Sequence, residues 1–237
     1  MNIMGMILAK NVSKIYENGS KKKTYALSDV SFEIDKGEFV VILGQSGAGK
    51  STLLNILGGI DSLSTGEVIV NDSPLSKMKE NELAEYRAKE IGFIFQFYNL
   101  IPTLTVYENV ALMKDIKDDI LNPITILERV GLKNHVKKFP NQLSGGEQQR
   151  VSIARAITKN PEILLCDEPT GALDSETGCK VLQLIQDVCR EFQKTVIIVT
   201  HNSNIAKVAD KVIRLKNGKI LEISLNDNPA DIKEVEW

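Results

Sequence analysis

The stretch that decides the fold is GEFVVILGQSGAGKSTLLNILGG, residues 37–59. It begins with a nearly all-apolar run, turns through a glycine-rich segment and continues with a helical pattern. The glycine-rich segment matches G-x-x-x-x-G-K-[ST], a motif that requires a strand before it and a helix after it. Both are predicted here. We therefore expect a loop whose backbone N–H groups, together with the following helix N-terminus, bind phosphate.

The loop residues have separate predicted roles. Lys50 is expected to reach the β- and γ-phosphates of a nucleotide, and the Ser51 hydroxyl is expected to bind Mg²⁺. A glycine-rich turn that merely starts a helix is the simpler alternative, and the flanking strand and helix argue against it. The nucleotide-binding residues predicted in this loop are Gly44, Ser46, Gly47, Ala48, Gly49, Lys50, Ser51 and Thr52.

Two further apolar runs resemble the first, EILLCD at 162–167 and TVIIVT at 195–200. Strands covered on both faces have this composition, and helical patterns separate the runs, so the sequence predicts an α/β core with a mostly parallel sheet. An early segment predicts an antiparallel β subdomain, and charged helical patterns predict an inserted α-helical subdomain. We expect a single domain over 1–237, with the core and β subdomain at 1–74 and 160–225, the insertion at about 75–159, and an acidic tail at 226–237.

Two adjacent acids, Asp167 and Glu168, follow the second run. Ligands gather outside the carboxyl ends of parallel strands, so both acids are expected beside the phosphate-binding loop. Alternation along the strand is expected to turn their side chains in opposite directions. Asp167 could then bind Mg²⁺ while Glu168 faces a water aligned with the γ-phosphorus. An acidic turn before Pro169 is the alternative.

The position of three other residues relative to apolar runs indicates whether they belong to the site. His201 ends the third run, where it could donate to a γ-phosphate oxygen or orient a water. Gln96 follows a fourth apolar run, where it could bind Mg²⁺ or water and transmit nucleotide occupancy to the helices that follow. His135 has no such context and is expected at the surface.

The composition of the chain indicates which classes of partner and which cellular compartment to expect. The chain has 237 residues and a net charge of −2, so no overall positive field favours nucleic acid, and no nucleic-acid partner is predicted. Its three cysteines lack metal-ligand spacing and are expected to be reduced thiols. No run approaches the ~18 apolar residues of a membrane span, and the start is a poor signal peptide, which predicts a cytosolic chain unless a partner holds it elsewhere.

These residues together resemble the nucleotide-binding subunit of ABC transporters, over nearly the whole chain. The resemblance implies a P-loop NTPase fold and hydrolysis of ATP with Mg²⁺, with Glu168 and His201 as the catalytic residues. It also implies that Tyr16, at the aromatic A-loop position, stacks on adenine; packing between strands is the alternative. The matching motifs are Walker A GQSGAGKS (44–51), the Q-loop residue Gln96, signature LSGGE (143–147), Walker B ILLCDE (163–168), D-loop GALD (171–174) and the switch residue His201.

The signature turn has both a structural and a functional interpretation. Ser144 and Glu147 have the spacing of a capping box, which would stabilise the following helix. Gly145 and Gly146 leave backbone N–H groups open to a phosphate. The resemblance implies that these four residues bind ATP held by a second copy of the chain. Two ATP molecules would then lie between two copies, with Asp174 at their interface.

Within the family, three segments are similar to the macrolide-efflux, lipoprotein-release and antimicrobial-peptide-resistance ATPases. They are GEFVVILGQSGAGKSTLLNILGGID (37–61), IGFIFQFYNLIPTLTVYENV (91–110) and LLCDEPTGALDSETG (164–178). This similarity implies a separate integral membrane permease and a place on the cytoplasmic face of the membrane. Export or extraction of a drug, peptide or lipoprotein would follow. A cell-division-type ATPase that signals without cargo is the alternative. ABC ATPases of ribosomes or chromosomes carry paired domains or a long coiled coil, and the sequence has neither. The segment FYNLIPTLTVYENV is expected to contact the permease or to be subdomain core.

Overall fold

The computed structural model describes residues 5–18, 22–232 and 235. The helices are α1 Lys50–Leu57, α2 Glu80–Lys89, α3 Val106–Ala111, α4 Pro123–Arg129, α5 Gly145–Thr158 and α6 Ser175–Phe192. The strands are β1 Ile7–Asn18, β2 Lys22–Ile34, β3 Phe39–Leu43, β4 Thr65–Val70, β5 Ser73–Pro74, β6 Ile91–Phe95, β7 Ile163–Asp167, β8 Thr195–Thr200, β9 Lys211–Lys216 and β10 Lys219–Leu225.

A six-stranded sheet in the order β10-β9-β3-β8-β7-β6 forms the core. Its pairs are parallel except for β9 with β10, which are antiparallel. Every residue of β3 and β8 is buried, because helices or the second sheet cover both faces of these central strands. The predicted α/β core with a mostly parallel sheet is confirmed.

Side chains of β3 alternate between two hydrophobic clusters. Phe39, Val41 and Leu43 pack in one cluster with residues of α3, α4, α5 and α6. Val40 and Ile42 pack in the other with residues of α1, β1, β2 and β4. The strand that leads into the phosphate-binding loop therefore separates and contacts both layers of the core.

The second sheet is antiparallel, with strands in the order β2-β1-β4-β5. This confirms the predicted antiparallel subdomain. Gly66, in β4, has φ 98, and a Cβ at this position would lie 2.4 Å from the Asn11 carbonyl oxygen. Only glycine can adopt this backbone conformation at such a close approach without strain.

The region predicted as a helical insertion, about 75–159, is not wholly helical. It contains β6, whose apolar residues pair in parallel with β7 and extend the core sheet. The helices α3, α4 and α5 follow that strand. Because β6 pairs with β7 and its Ile91 and Ile94 are fully buried, this strand belongs to the core, and the exact subdomain boundaries remain a prediction.

The predicted acidic tail, 226–237, returns to the core. Ile232 is fully buried and Val235 is 6% exposed, both within the cluster that contains α6. The Ala230 N–H donates to the Lys207 carbonyl at 3.0 Å. The rest of the tail, 233–234 and 236–237, lies outside the described residues. Within the described ranges, none of the helices combines the length and apolar character that crossing a membrane requires.

Candidate functional site

A cleft of about 910 Å³ lies at the carboxyl ends of β3, β7 and β8, beside the β1–β2 hairpin. Gly44 and Ala48 line an adjoining cavity of about 330 Å³, and the two cavities share Gln45, Ser46 and His201. Thr24, Tyr25, Ala26 and Gln45 also line the cleft and were not predicted. The predicted site residues that line the cleft are Tyr16, Ser46, Gly47, Gly49, Lys50, Ser51, Thr52, Gln96, Asp167, Glu168 and His201.

The phosphate-binding loop folds as the motif predicts. Gly49 precedes the first residue of α1 with φ 102, and a Cβ there would lie 2.4 Å from the Ala26 carbonyl oxygen. Lys50 is 7% exposed, and its ammonium donates to the carbonyls of Gly44 at 2.8 Å and Gln45 at 3.2 Å. The lysine charge is thereby held inside the loop that is predicted to receive phosphate.

Ser51 and Asp167 form a pair of oxygen ligands. The Ser51 hydroxyl donates to Asp167 Oδ1 at 3.2 Å. Burial raises the pKa of Asp167; the Ser51 hydrogen bond and Lys50 oppose that shift, and the charge of Glu168 adds to it. Hydroxyl and carboxylate oxygens are the ligands that Mg²⁺ prefers, and a cation here would offset the burial of the carboxylate. The donor set therefore fits Mg²⁺.

Glu168 is held by three side chains. Its Oε1 lies 2.8 Å from His201 Nδ1, its Oε2 accepts from the Thr200 hydroxyl at 2.9 Å, and the Lys50 ammonium lies 3.9 Å away. Thr200 was not predicted; its only sequence signal is a hydroxyl at the end of an apolar run. The structure thus joins the ends of β7 and β8 through one carboxylate.

The expected strand alternation at Asp167 and Glu168 is wrong. β7 ends at Asp167, and Glu168 has φ 45 in the left-handed region. Such a conformation is uncommon for glutamate, and it persists because surrounding contacts hold it. The Glu168 N–H donates to the Val199 carbonyl at 3.0 Å, and its side chain is fixed from β8. The two acids are separated by this turn of the backbone.

Gln96 follows β6 and reaches the loop after Glu168. A Cβ on Gly171 would lie 2.9 Å from Gln96 Nε2, so the amide lies against that loop. Gln96 also lines the cleft. It therefore contacts both the predicted nucleotide site and the segment that leads to Asp174.

The signature turn forms the predicted capping box. The Ser144 hydroxyl accepts from the Glu147 N–H at 3.3 Å, and Glu147 Oε2 accepts from the Ser144 N–H at 2.7 Å. Among the described residues that line the cleft of this chain, none comes from 144–147. Ser144, which caps α5, is exposed, whereas Gly146 in the first turn of the helix is buried. The structural interpretation is confirmed, and a role toward a second copy stays a prediction.

Both signature glycines lie close to neighbouring side chains. A Cβ on Gly145 would lie 2.8 Å from the Tyr98 hydroxyl oxygen, and one on Gly146 would lie 2.2 Å from Thr177 Cγ2. The start of α5 therefore packs closely against the loop after β6 and the start of α6.

Two predicted surface or interface residues have local partners. His135, expected at the surface, is partly exposed, with 24% of its side chain accessible, and its Nε2 lies 3.1 Å from Glu147 Oε1. It is covered because the turn before α5 brings it against the signature carboxylate. Asp174 is exposed and accepts from the Thr177 N–H at 3.0 Å, which caps α6. That hydrogen bond lowers the pKa of Asp174.

The segment FYNLIPTLTVYENV divides between surface and core. Phe97 is 77% exposed and Ile101 is 40% exposed. Val106 and Val110 are fully buried in α3. The first part is therefore available for contact, and the second part is subdomain core.

Comparison with known proteins places these features in one family. A family model described as ABC transporter matches residues 27–171. The uncharacterized ABC transporter ATP-binding protein MJ1508 of Methanocaldococcus jannaschii is 48% identical over 223 residues, which are 92% of this chain and 99% of that protein. The ATP-binding cassette MJ0796 of the same organism, solved as a dimer in a post-hydrolysis state bound to ADP and Pi, has a TM-score of 0.85 at 42% identity, with 93% and 98% of the two chains covered. The protein cbiO1 from Clostridium perfringens, part of the transporter complex cbiONQ, has a TM-score of 0.81 at 26% identity, with 98% and 90% covered.

Proposed function

Because the chain belongs to the ABC transporter family as an ATP-binding subunit, we propose that it hydrolyses ATP to power a separate membrane permease. One observation carries the proposal. Lys50, Ser51, Asp167, Glu168 and His201 come from three separated segments and line one cleft. A cation, a hydroxyl, two carboxylates and an imidazole around a phosphate-binding loop are the groups that phosphoryl transfer to water requires.

The phosphate-binding loop is proposed to hold the triphosphate. The Lys50 ammonium is already directed to the loop carbonyls of Gly44 and Gln45, so it is positioned before phosphate arrives. The N-terminus of α1 adds partial positive charge at the same place. Ser51, Asp167 and Gln96 would hold Mg²⁺, which supplies positive charge to the phosphate oxygens.

Glu168 is proposed to orient the attacking water. Thr200 and His201 both hold its carboxylate, which follows the end of β7 on a left-handed backbone residue. A carboxylate that is fixed at both oxygens needs little reorganisation free energy during the reaction, which is the advantage of a preorganised site. His201 is 68% exposed, so its free nitrogen can also reach a phosphate oxygen.

A second copy is proposed to complete each site. Ser144 and Asp174 are both exposed, and neither lines the cleft among the residues the structure describes. The N-terminus of the 14-residue helix α5 favours an anion from another molecule. The dimeric MJ0796 cassette bound to ADP and Pi supports this arrangement.

The permease is proposed to contact the exposed Phe97 and Ile101. The loop between them is fixed to α5, because the Arg155 guanidinium donates to the carbonyls of Tyr98 at 3.0 Å and Asn99 at 2.8 Å. Movement of a bound partner would therefore reach the signature helix directly. The cbiO1 protein, part of a transporter complex, supports a permease partner, and such a partner would hold the chain at the cytoplasmic face of the membrane. We further propose export or extraction of a drug, peptide or lipoprotein as the transport task.

Glu168→Gln tests the proposal. We expect the purified variant to bind ATP with nearly unchanged affinity and to lose about 10²–10⁴-fold in phosphate release, the usual effect of a positioned base. With saturating Mg-ATP it should sediment as a dimer, whereas the wild type should return to monomer after turnover. Co-purification with an integral membrane protein, followed by a cargo assay, separates transport from signalling.

Glu162→Gln is the matched control. Glu162 immediately precedes β7 and pairs with Lys36 and Lys194. Its substitution removes the same charge as Glu168→Gln, but at the opposite end of the same strand. Its phosphate release should stay near that of the wild type. A Glu168→Gln protein that hydrolyses ATP like the control, or stays monomeric with Mg-ATP both alone and with its permease, contradicts the proposal.

A further inference from the structure

We propose that Asp61 and Lys14 are positioning residues that hold the Tyr16 ring as a one-faced stacking surface for the base of the nucleotide. This inference rests on the proposed function and adds two residues to the same site. Neither Asp61 nor Lys14 belongs to a motif identified in the sequence. Their role is assigned from hydrogen bonds, burial and position in the fold.

The Tyr16 hydroxyl donates to Asp61 Oδ2 at 2.6 Å, the short distance of a charge-assisted hydrogen bond. Burial raises the pKa of Tyr16, and the carboxylate raises it further, so the hydroxyl keeps its proton. The two residues are 45 positions apart in the chain. A tyrosine on an edge of the cleft is thereby fixed at the far end of its side chain, and rotation about its two torsions is restricted.

Lys14 holds the other oxygen of the same carboxylate. Its ammonium donates to Asp61 Oδ1 at 2.5 Å and to the Ser62 carbonyl at 2.6 Å, and the residue is 8% exposed. Burial alone would raise the pKa of Asp61, but the hydrogen bonds from Lys14 and Tyr16 outweigh it and hold that pKa below its usual value. The carboxylate therefore stays charged and remains an acceptor.

The Lys14 ammonium also lies over the Tyr16 ring, 4.9 Å from its centroid. A cation over one face of an aromatic ring is attracted by the ring electrons and blocks that face to other planar groups. We assign stacking to the opposite face, since Tyr16 lines the same cleft as the phosphate-binding loop. The ring is thus both oriented and restricted to one side.

The position of Asp61 links this clamp to the phosphate-binding loop. The helix α1 begins at Lys50 in the loop, and the Asp61 N–H donates to the Asn55 carbonyl of that helix at 3.2 Å. One rigid helix therefore has the phosphate-binding lysine at its start and the support of the stacking tyrosine just beyond its end. Fixing the ring before the base arrives reduces the ordering cost of binding.

Steady-state hydrolysis by the purified chain tests the inference, with inorganic tripolyphosphate as a competing ligand that lacks a base. Tyr16→Phe keeps the ring and removes only the hydroxyl; we expect KM for ATP to rise about five-fold, the effect of one lost hydrogen bond. The fall in kcat should be much smaller, because uniform binding is lost. Asp61→Ala should reproduce the rise, and the double variant should show no further rise. Tripolyphosphate inhibition should be unchanged throughout.

Glu17→Gln is the control, since Glu17 follows Tyr16 and pairs with Lys23 on the exposed side of the hairpin. An unchanged KM in Tyr16→Phe overturns the inference. So does an equal loss of tripolyphosphate binding, or an additive double variant, because Asp61 would then act on the loop or the fold. If Asp61→Ala does not fold, Tyr16→Phe alone decides. A wild-type chain that binds no ATP refutes the proposed function instead.

Discussion

Replacing Ile232 with alanine tests whether the acidic tail is part of the folded core. Ile232 is fully buried and lies in the same cluster as α6. The Cys179 thiol lies 3.9 Å from its carbonyl oxygen, and the Ala230 N–H bonds the Lys207 carbonyl. The tail is therefore held to α6 and to the segment after β8, and the Ile232 side chain is fully buried there.

The expected cost follows from the atoms removed. The change to alanine deletes three buried carbons, and at about 0.8 kcal/mol for each the transfer cost is about 2.4 kcal/mol. The cavity left behind adds to this, so we expect a loss of about 3 kcal/mol in the free energy of unfolding. For a chain of this size that corresponds to a fall of roughly 6–12 °C in Tm.

Urea unfolding followed by circular dichroism, with a parallel thermal scan, measures this loss. Ile223→Ala is the matched control, because it makes the same deletion at a side chain of β10 that is 43% exposed. The control should lose about 1 kcal/mol or less. If the two variants have the same unfolding midpoint, the tail is not docked in solution and the reasoning from burial is wrong.

Three further predictions concern the phosphate-binding loop, the predicted metal ligand Asp167 and the second sheet. Lys50→Ala should weaken ATP binding by about 10- to 100-fold, since hydrogen bonds to a charged group are lost. Lys36→Ala removes the same charge at an exposed site and should leave ATP affinity unchanged. Equal ATP affinities of the two variants by calorimetry would exclude the phosphate role of Lys50. The folded state raises the pKa of Asp167, so the wild type should lose stability as pH rises from the unfolded to the folded pKa. Asp167→Asn lacks the titrating carboxyl, so its free energy of unfolding relative to the wild type should increase as pH rises over this range. Urea titrations of the nucleotide-free proteins measure this difference, and a difference that does not change with pH would contradict the prediction. Gly66→Ala should lower the free energy of unfolding by about 1–3 kcal/mol more than Gly131→Ala does. Gly131 is the control because it also has a positive φ, but a Cβ there would meet no atom within 4 Å. Equal unfolding midpoints of the two variants would rule out the backbone clash at Gly66.

The core sheet could be predicted because its signal is local. Runs such as TVIIVT are apolar on both faces, and burial on both faces is what a central parallel strand requires. The phosphate-binding loop was predictable for the same reason, since strand, glycines and helix lie within about two dozen consecutive residues. The carboxyl ends of β3, β7 and β8 then had to meet at one edge.

The remaining features depend on tertiary contacts. The left-handed backbone of Glu168 has no local signal, because glutamate does not prefer that region, and contacts from β8 hold it there. Thr200 acts through a neighbouring strand, and Asp61 meets Tyr16 across 45 positions. The composition of the tail predicts an acidic segment, whereas the buried side chains among its described residues, Ile232 and Val235, attach it to the core.

Since side chains of β3 alternate between the two hydrophobic clusters, a strain introduced on one side of the strand displaces the wall of the other. A shortened Ile42 should therefore be compensated either by a larger side chain in its own cluster or by one opposite Val41 that pushes the strand towards the cavity. Genetic suppressors of weakened nucleotide binding are expected on both faces of this single strand. Substitutions that change side-chain volume in either hydrophobic cluster are therefore expected to affect the phosphate-binding loop, because β3 leads into it.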